Sequence, residues 1–316
     1  MLVAFLTTLE QMGRIFAFLA IGYALNRLRV LPKGAEAGIS RLITTILLPA
    51  LMLYANITEF DLVNVSNYFR LVLLGCLFWV MLTLVAWPVA KKLSAGDRLE
   101  KGIYLYGLCF PNTGAVGTPL ILALFGMNGV FLFGLFLLCV SIATYAWGVT
   151  LFRNDGQTNR LKSFFTQMLN PVFVSMLIGL FLGAIGAKNW LPAIALDICS
   201  DLSSCYVPIS LLLTGYTVAN YPLGEVFRRP KSYVCALMRL ILLPLVALLV
   251  AKLLKLSAFE ASLAVLTYAG PCGMNAVVFP ASYGQDCRTG ASIVLISSMA
   301  SIFTVPLLYA LVYALF

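Results

Sequence analysis

Two segments of the chain place helix-breaking residues and side-chain amides inside stretches that are otherwise strongly apolar. They read FPNTGAVGTP at residues 110–119 and AGPCGMNAVVFP at residues 269–280, and we name them the first break and the second break. Each holds two prolines, which are Pro111 and Pro119 in the first and Pro271 and Pro280 in the second. A proline removes a backbone donor and leaves a carbonyl group without its helical partner. Freed backbone groups inside a bilayer are costly unless they line a cavity, so the paired breaks predict a substrate site.

The chemistry offered by these breaks is the binding of a small ion. Amide groups at the start of a half-helix attract an anion, whereas carbonyl groups at the end of a half-helix suit a cation. Asn112, Thr113 and Asn275 add side chains that donate and accept hydrogen bonds, and Gly117 and Gly273 let the backbone approach a ligand closely. We expect half-helices that end near residue 110 and begin near residue 118. The competing interpretation is a pair of kinks that serve packing only.

Composition shows which elements must position these groups. The chain is 61% hydrophobic and only 10% charged, with a mean hydropathy of +0.98. These values are typical of a polytopic protein surrounded by a lipid bilayer. The apolar runs are long and continuous, without the repeated two-residue alternation of an outer-membrane barrel. We therefore predict an all-α membrane protein.

Ten apolar runs predict ten transmembrane helices. They cover approximately residues 8–27, 40–57, 70–90, 102–125, 130–152, 168–187, 193–218, 233–252, 259–283 and 289–314. The predicted organisation is a five-helix repeat over residues 1–152, a short cytoplasmic linker over residues 153–164, and a second five-helix repeat over residues 165–316. Because five is an odd number, the second repeat must run through the membrane inverted relative to the first.

Proline and glycine positions favour this internal repeat. Similar separations of about 160 residues relate Pro49 to Pro208, Pro119 to Pro280, and Gly22 to Gly183. Chance coincidence is the alternative, since both residue types are common in membrane helices.

The distribution of Lys and Arg predicts the orientation. Most of the 21 basic residues fall in the joints that are cytoplasmic if both termini lie outside the cytoplasm. The net charge of +9 is therefore a topology signal. A nucleic-acid partner is disfavoured because the cations are spread over separate short loops.

Ionisable groups inside the spans are scarce. All twelve acidic residues lie in joints or near span ends, and the chain contains no histidine. We expect no metal, no cofactor and no enzymatic activity, because a nucleophile with its base, paired acids and metal-ligand spacing are all missing. Arg239 lies inside the eighth predicted span, where it is either a partner for a carboxylate substrate or a side chain that snorkels to the headgroups.

The runs FPNTGAVGTPL, YAGPCGMNAVVFPASYG with the following ASIVLISSMASIFTVP, and ILLPALML resemble the auxin efflux carrier family. Bacterial members of that family include proteins described as malonate permeases. The resemblance covers essentially the whole chain. It implies a scaffold from spans one, two, six and seven, a transport part from the other spans, and a crossing of helices four and nine at their breaks. It also implies an organic anion as substrate and Asn112 as the first crossover amide. The second break departs from the plant pattern, with Cys272 and Gly273 after Pro271 and the amide at Asn275.

The sequence therefore predicts a secondary transporter or facilitator that moves small organic anions, carboxylates such as malonate or another dicarboxylate, across the inner membrane by alternating access. A sodium-coupled organic-anion symporter of the bile-acid symporter type is the alternative. A receptor or scaffold protein fits less well, because the joints between spans are short. Gly179 and Gly183 form a small-xxx-small pair that suits either a homodimer seam or close packing within the chain.

Overall fold

The computed structural model describes residues 2–32, 34–152, 169–220, 224 and 227–316. Within these ranges the chain is helical and forms no strand. The helices up to residue 152 are α1 (Leu2–Arg27), α2 (Ala35–Leu42), α3 (Leu48–Glu59), α4 (Val65–Ser94), α5 (Arg98–Cys109), α6 (Thr118–Phe136) and α7 (Leu138–Ala146). The later helices are α8 (Pro171–Ala184), α9 (Ala193–Val218), α10 (Pro230–Leu237), α11 (Leu243–Leu253), α12 (Ala258–Ala269), α13 (Asn275–Ser282) and α14 (Arg288–Leu315). The predicted linker, residues 153–164, lies outside the described residues.

Seven helical runs in the described ranges are long and apolar enough to cross a membrane. They are Leu2–Arg27, Ala35–Glu59, Leu62–Ser94, Thr113–Phe136, Ala193–Val218, Pro230–Leu253 and Arg288–Leu315. One of them, Thr113–Phe136, is kinked at Gly126, whose φ of 66° and ψ of −161° are not helical. Three shorter apolar helices, Leu138–Leu151, Pro171–Ala184 and Ala258–Ala269, lie near the remaining predicted spans. The all-α membrane fold is thus confirmed, whereas the division into ten spans and two inverted repeats stays a prediction.

Three of these runs contain a π-helical turn that ends two residues before a proline. The turns are Ile43–Leu47, Thr113–Gly117 and Met238–Leu242, and Pro49, Pro119 and Pro244 follow them. A proline ring clashes with the preceding helical turn and offers no N–H group, so the helix widens there instead of continuing its regular ladder. The half-helix of the first break consists of the π-helical turn from Thr113, followed by α6, which begins at the predicted Thr118.

Close helix crossings hold the bundle together. Helix α1 packs against α9, and a Cβ atom on Gly22 would overlap the backbone of Leu212 while one on Gly215 would overlap the backbone of Leu19. Helix α8 packs against α3, where Gly179 and Gly183 face Asn56 and Phe60. The two glycines of α8 therefore serve packing within the chain, which is one of the two predicted roles.

Helices α5 and α12 lie in the centre of the bundle. All residues from Gly102 to Cys109 are buried, as are all residues from Ala261 to Ala269. A helix that is enclosed on every side ends inside protein rather than in water, so its last carbonyl groups need partners within the chain. Both helices end at a break, and these ends define the site.

Candidate functional site

The two breaks meet and pair through their backbones. The N–H group of Asn112 donates to the carbonyl of Pro271 at 2.9 Å, and the N–H group of Gly273 donates to the carbonyl of Phe110 at 2.9 Å. Pro111 and Cys272 face each other as a single antiparallel β-bridge. We call these two paired tripeptides, Phe110–Asn112 and Pro271–Gly273, the crossover.

Close approach at the crossover requires glycine on one side. A Cβ atom on Gly273 would lie 2.9 Å from the carbonyl oxygen of Phe110 and 3.3 Å from that of Pro111. Both neighbours are backbone atoms of the paired tripeptide, and the Phe110 carbonyl already accepts a pairing hydrogen bond, so they have little room to move. Gly273 therefore allows the two backbones to pair, whereas the role predicted for it, a close approach of the backbone to a ligand, stays a prediction.

Asn112 organises the first break through its own atoms. Its Oδ1 atom accepts from the N–H of Ala115 at 3.3 Å, and its backbone carbonyl accepts from Val116 and Gly117. This is an N-cap, in which a side-chain oxygen satisfies a donor that the first helical turn leaves unpaired. The Nδ2 group of Asn112 has no hydrogen-bond partner among the described residues, although the residue is only 8% exposed. It is a free donor at the first break.

A neighbouring helix supports the first break at Gly114. The Tyr206 hydroxyl, from α9, donates to the Gly114 carbonyl at 2.7 Å. This carbonyl needs an outside donor because Pro119, five residues later, has no N–H group to continue the π-helical pattern.

The second break is held from α14. The N–H of Cys272 donates to the hydroxyl of Ser297 at 3.0 Å, and Ser297 is fully buried. Asn275 is the first residue of α13, and that helix has no side-chain N-cap. The hydroxyl of Tyr106 interacts with Asn275 and with Thr144 of α7.

The carbonyl ends of the two half-helices converge on Arg239. Its guanidinium donates to Leu108 in α5 at 2.6 Å, to Thr267 in α12 at 3.2 Å, and to Gly270 after α12 at 3.1 Å. The side chain is completely buried, and its Cζ atom lies 5.4 Å from the centre of the Tyr268 ring. Within the described ranges no carboxylate pairs with it. The guanidinium is thus enclosed by protein and does not line the cavity described next. This arrangement does not support a direct contact between Arg239 and a substrate anion.

A cavity of about 270 Å³ opens beside the crossover. Five predicted site residues line it, namely Pro111, Asn112, Thr113, Gly273 and Asn275. Its remaining polar wall comes from Tyr106 of α5 and from Ser141, Thr144 and Tyr145 of α7. We call this the crossover cavity. No charged side chain of the described residues lines it, so its polarity comes from amides, hydroxyls and helix ends.

A second cavity of about 230 Å³ adjoins the first and shares Thr113, Gly114, Ser141 and Tyr145 with it. Its far wall is formed by residues of α3, α8 and the turn before α3, including Met52, Met176 and Thr44. The combined space therefore runs from the crossover to the helices that pack on the other side of the first break.

The other predicted site residues lie close to this space without lining the crossover cavity. Gly117 ends the π-helical turn that leads into α6, and Pro119 is the second residue of α6. Pro271 supplies the carbonyl that accepts the hydrogen bond from the N–H of Asn112. The polar wall of α7 was missed by sequence reasoning. Its signal was present, because Ser141, Thr144 and Tyr145 are spaced to share one face of a helix inside an apolar run.

Comparison with known protein families identifies the class of the chain. A family model described as "Membrane transport protein" matches residues 7–309. The chain belongs to the membrane transport protein family. This is the auxin efflux carrier family in the wider sense, so the resemblance is confirmed at that level. No curated protein matches the sequence. The chain is therefore an integral membrane protein of a transporter family, which agrees with the expectation of a protein that is not an enzyme.

Proposed function

We propose that this protein is a secondary transporter or facilitator that moves small organic anions across the bacterial inner membrane by alternating access. The observation that carries the proposal is the crossover cavity, which joins the starts of two half-helices and the free Nδ2 donor of Asn112. Both half-helices begin at this cavity, at Thr113 and at Asn275, and present their positive dipole ends to it. An anion is the ligand that such ends stabilise.

The size and lining of the cavity favour a small carboxylate. Its volume of about 270 Å³ lies below the range of roughly 300–1,000 Å³ that is usual for drug-sized ligands. A dicarboxylate such as malonate is compact and offers several acceptor oxygens to amide and hydroxyl donors. In this proposal Asn112, Thr113 and Asn275 contact the anion. Pro111, Gly117, Pro119, Pro271 and Gly273 shape the backbone around it.

The packing of the helices fits the proposed ten-helix inverted repeat. Helix α1 packs on α9 and α3 packs on α8, which pairs spans one with seven and two with six. Helix α4 packs on α5 and α11 packs on α12, which pairs spans three with four and eight with nine. An inverted repeat relates spans one, two, three and four to spans six, seven, eight and nine. The contact of span one with seven then corresponds to the contact of span six with two, and the contact of span three with four corresponds to that of span eight with nine. We propose the division into scaffold and transport parts on this basis, with both termini outside the cytoplasm.

Uptake of labelled carboxylates into liposomes tests the function. Purified protein is reconstituted and offered a panel of mono- and dicarboxylates, with and without sodium and proton gradients. We expect uptake of at least one small dicarboxylate. Failure of the protein to move any carboxylate in the panel would contradict the proposal.

Substitution of Asn112 tests the site. Asn112→Ala removes the free donor, and we expect uptake to fall roughly 10- to 100-fold, the cost of one buried hydrogen bond to a charged group. Asn112→Ser keeps an acceptor for the N–H of Ala115 but lacks the donor amide, so it separates anion binding from the N-cap. Asn67→Ala, at an exposed amide of α4, is the matched control and should keep wild-type uptake. Wild-type uptake by Asn112→Ala would remove the site from the crossover.

A further inference from the structure

Arg239 occupies a place in the structure that is built to hold a cation. Three carbonyl oxygens, from Leu108, Thr267 and Gly270, converge at the ends of two half-helices. Such ends carry a negative dipole and unpaired carbonyl groups, and in membrane transporters with broken helices they are places where coupling cations bind. Here the guanidinium group of Arg239, a side chain of the protein itself, binds these carbonyl groups instead of a free cation.

The prolines of the breaks explain why these carbonyls need a donor. The helical partner of the Thr267 carbonyl is residue 271, a proline without an N–H group. The helical partner of the Leu108 carbonyl is Asn112, whose N–H is already given to Pro271 across the crossover. A planar guanidinium with five donors reaches both helix ends at once, which a single water or hydroxyl cannot do.

The local structure of the eighth predicted span brings Arg239 to this position. The residue lies in the π-helical turn Met238–Leu242, between α10 and α11. The turn precedes Pro244, and its wider spacing projects the side chain differently from a regular helix. The guanidinium is fully buried, lacks a carboxylate partner in the described ranges, and stacks near Tyr268. Burying a charge in this way carries a large desolvation penalty unless hydrogen bonds compensate it, and here the three carbonyl groups supply them.

We propose that Arg239 is a positioning residue that takes the place of a coupling cation, so that anion transport at the crossover needs no sodium ion. The guanidinium binds the carbonyl ends of both half-helices, fixes the geometry of the crossover, and contributes a fixed positive charge behind the cavity. This proposal rests on the proposed anion transport, which it deepens by excluding one coupling ion. The sodium-coupled alternative requires the opposite arrangement, a carbonyl site left open for the ion.

Thermal unfolding of the purified protein tests the proposal without any substrate. The wild-type protein should melt at the same temperature in sodium chloride and in choline chloride. Arg239→Ala should melt about 10 °C lower, because three carbonyls lose their donor. Millimolar guanidinium chloride should restore part of that loss in Arg239→Ala and leave the wild type unchanged. Arg14→Ala, which removes an exposed arginine paired with Glu10, is the control and should melt like the wild type.

Transport supplies the second measurement. Wild-type uptake of the anion should be equal with and without a sodium gradient, and guanidinium should restore uptake to Arg239→Ala. If Arg239→Ala does not fold, Arg239→Lys replaces it. That variant keeps the charge but cannot span both helix ends, so we expect a smaller fall in melting temperature and an uptake below wild type.

Three results would overturn the role of Arg239. They are stabilisation of the wild type by sodium, uptake driven by a sodium gradient, and wild-type melting of the variants. These results are distinct from failure of the proposed function. If no carboxylate is transported, the anion proposal fails, while the melting data still decide whether Arg239 holds the crossover.

Discussion

The first break is organised by its own side chain and by another helix, whereas the second break depends on α14. In the first, Asn112 caps the turn that follows it and Tyr206 of α9 binds the Gly114 carbonyl. In the second, α13 has no side-chain cap, and Ser297 holds the N–H of Cys272. The carbonyl ends of both breaks nevertheless share a single donor, Arg239. The two breaks are therefore similar in sequence at their prolines but differ in what stabilises them.

The difference bears on how such a site can move. Tyr206 belongs to the proposed scaffold, so its hydrogen bond to Gly114 joins the scaffold to the transport part. Ser297 belongs to α14, which lies in the same proposed transport part as the second break. We infer that the first break exchanges partners during alternating access while the second break moves with its support. Three pairs of variants sharpen this comparison.

The largest expected effect is at the glycine of the second break. Gly273→Ala should lower the free energy of unfolding by about 3 kcal/mol, because its Cβ would lie against the backbone carbonyls of Phe110 and Pro111 at the crossover. Gly114→Ala is the matched change in the first break, where the nearest atom is the Tyr206 hydroxyl at 3.5 Å, an ordinary contact. Chemical denaturation of the two purified variants measures both effects. Equal losses would show that the backbone at the crossover is packed no more closely than the backbone at Gly114.

An intermediate effect is expected at Ser297. Ser297→Ala leaves the buried N–H of Cys272 without its acceptor, and we expect a loss of about 2 kcal/mol. Ser301→Ala is the control, because Ser301 is equally buried on the same helix but bonds only to Ser298. A loss as large in Ser301→Ala would mean that any polar change in α14 has the same effect.

The smallest expected effect is at Tyr206. Tyr206→Phe removes one hydroxyl and should lower the free energy of unfolding by about 1 kcal/mol. We expect it to slow anion uptake clearly while it lowers the melting temperature only slightly. The reason is that this hydrogen bond joins two parts that are proposed to move. Tyr233→Phe, at an exposed tyrosine, serves as the control. An unchanged uptake rate in Tyr206→Phe would separate this contact from the transport cycle.

Much of the helical framework could be read from hydropathy. The predicted seventh span, residues 193–218, coincides with α9, and the first, second, eighth and tenth spans overlap the observed runs closely. The α-helical part of the first half-helix begins at the predicted Thr118, whereas the π-helical turn from Thr113 has no periodicity that would predict it. The hydroxyl wall of α7 is hard to predict, because Ser and Thr are ordinary residues in membrane helices, where their hydroxyls donate to the backbone of their own helix.

The sequence alone determined the class of the protein, its apolar helices, and the positions where prolines leave carbonyl groups without helical partners. These properties are local, since a missing N–H group and a long apolar run are written in neighbouring residues. Only the tertiary structure decided what satisfies those carbonyls and where the breaks meet. Backbone pairing between Asn112 and Pro271 has no side-chain signature. Arg239, which donates to the Leu108 carbonyl, lies 131 residues away along the chain. Nothing in the sequence around Arg239 identifies the groups that its side chain binds.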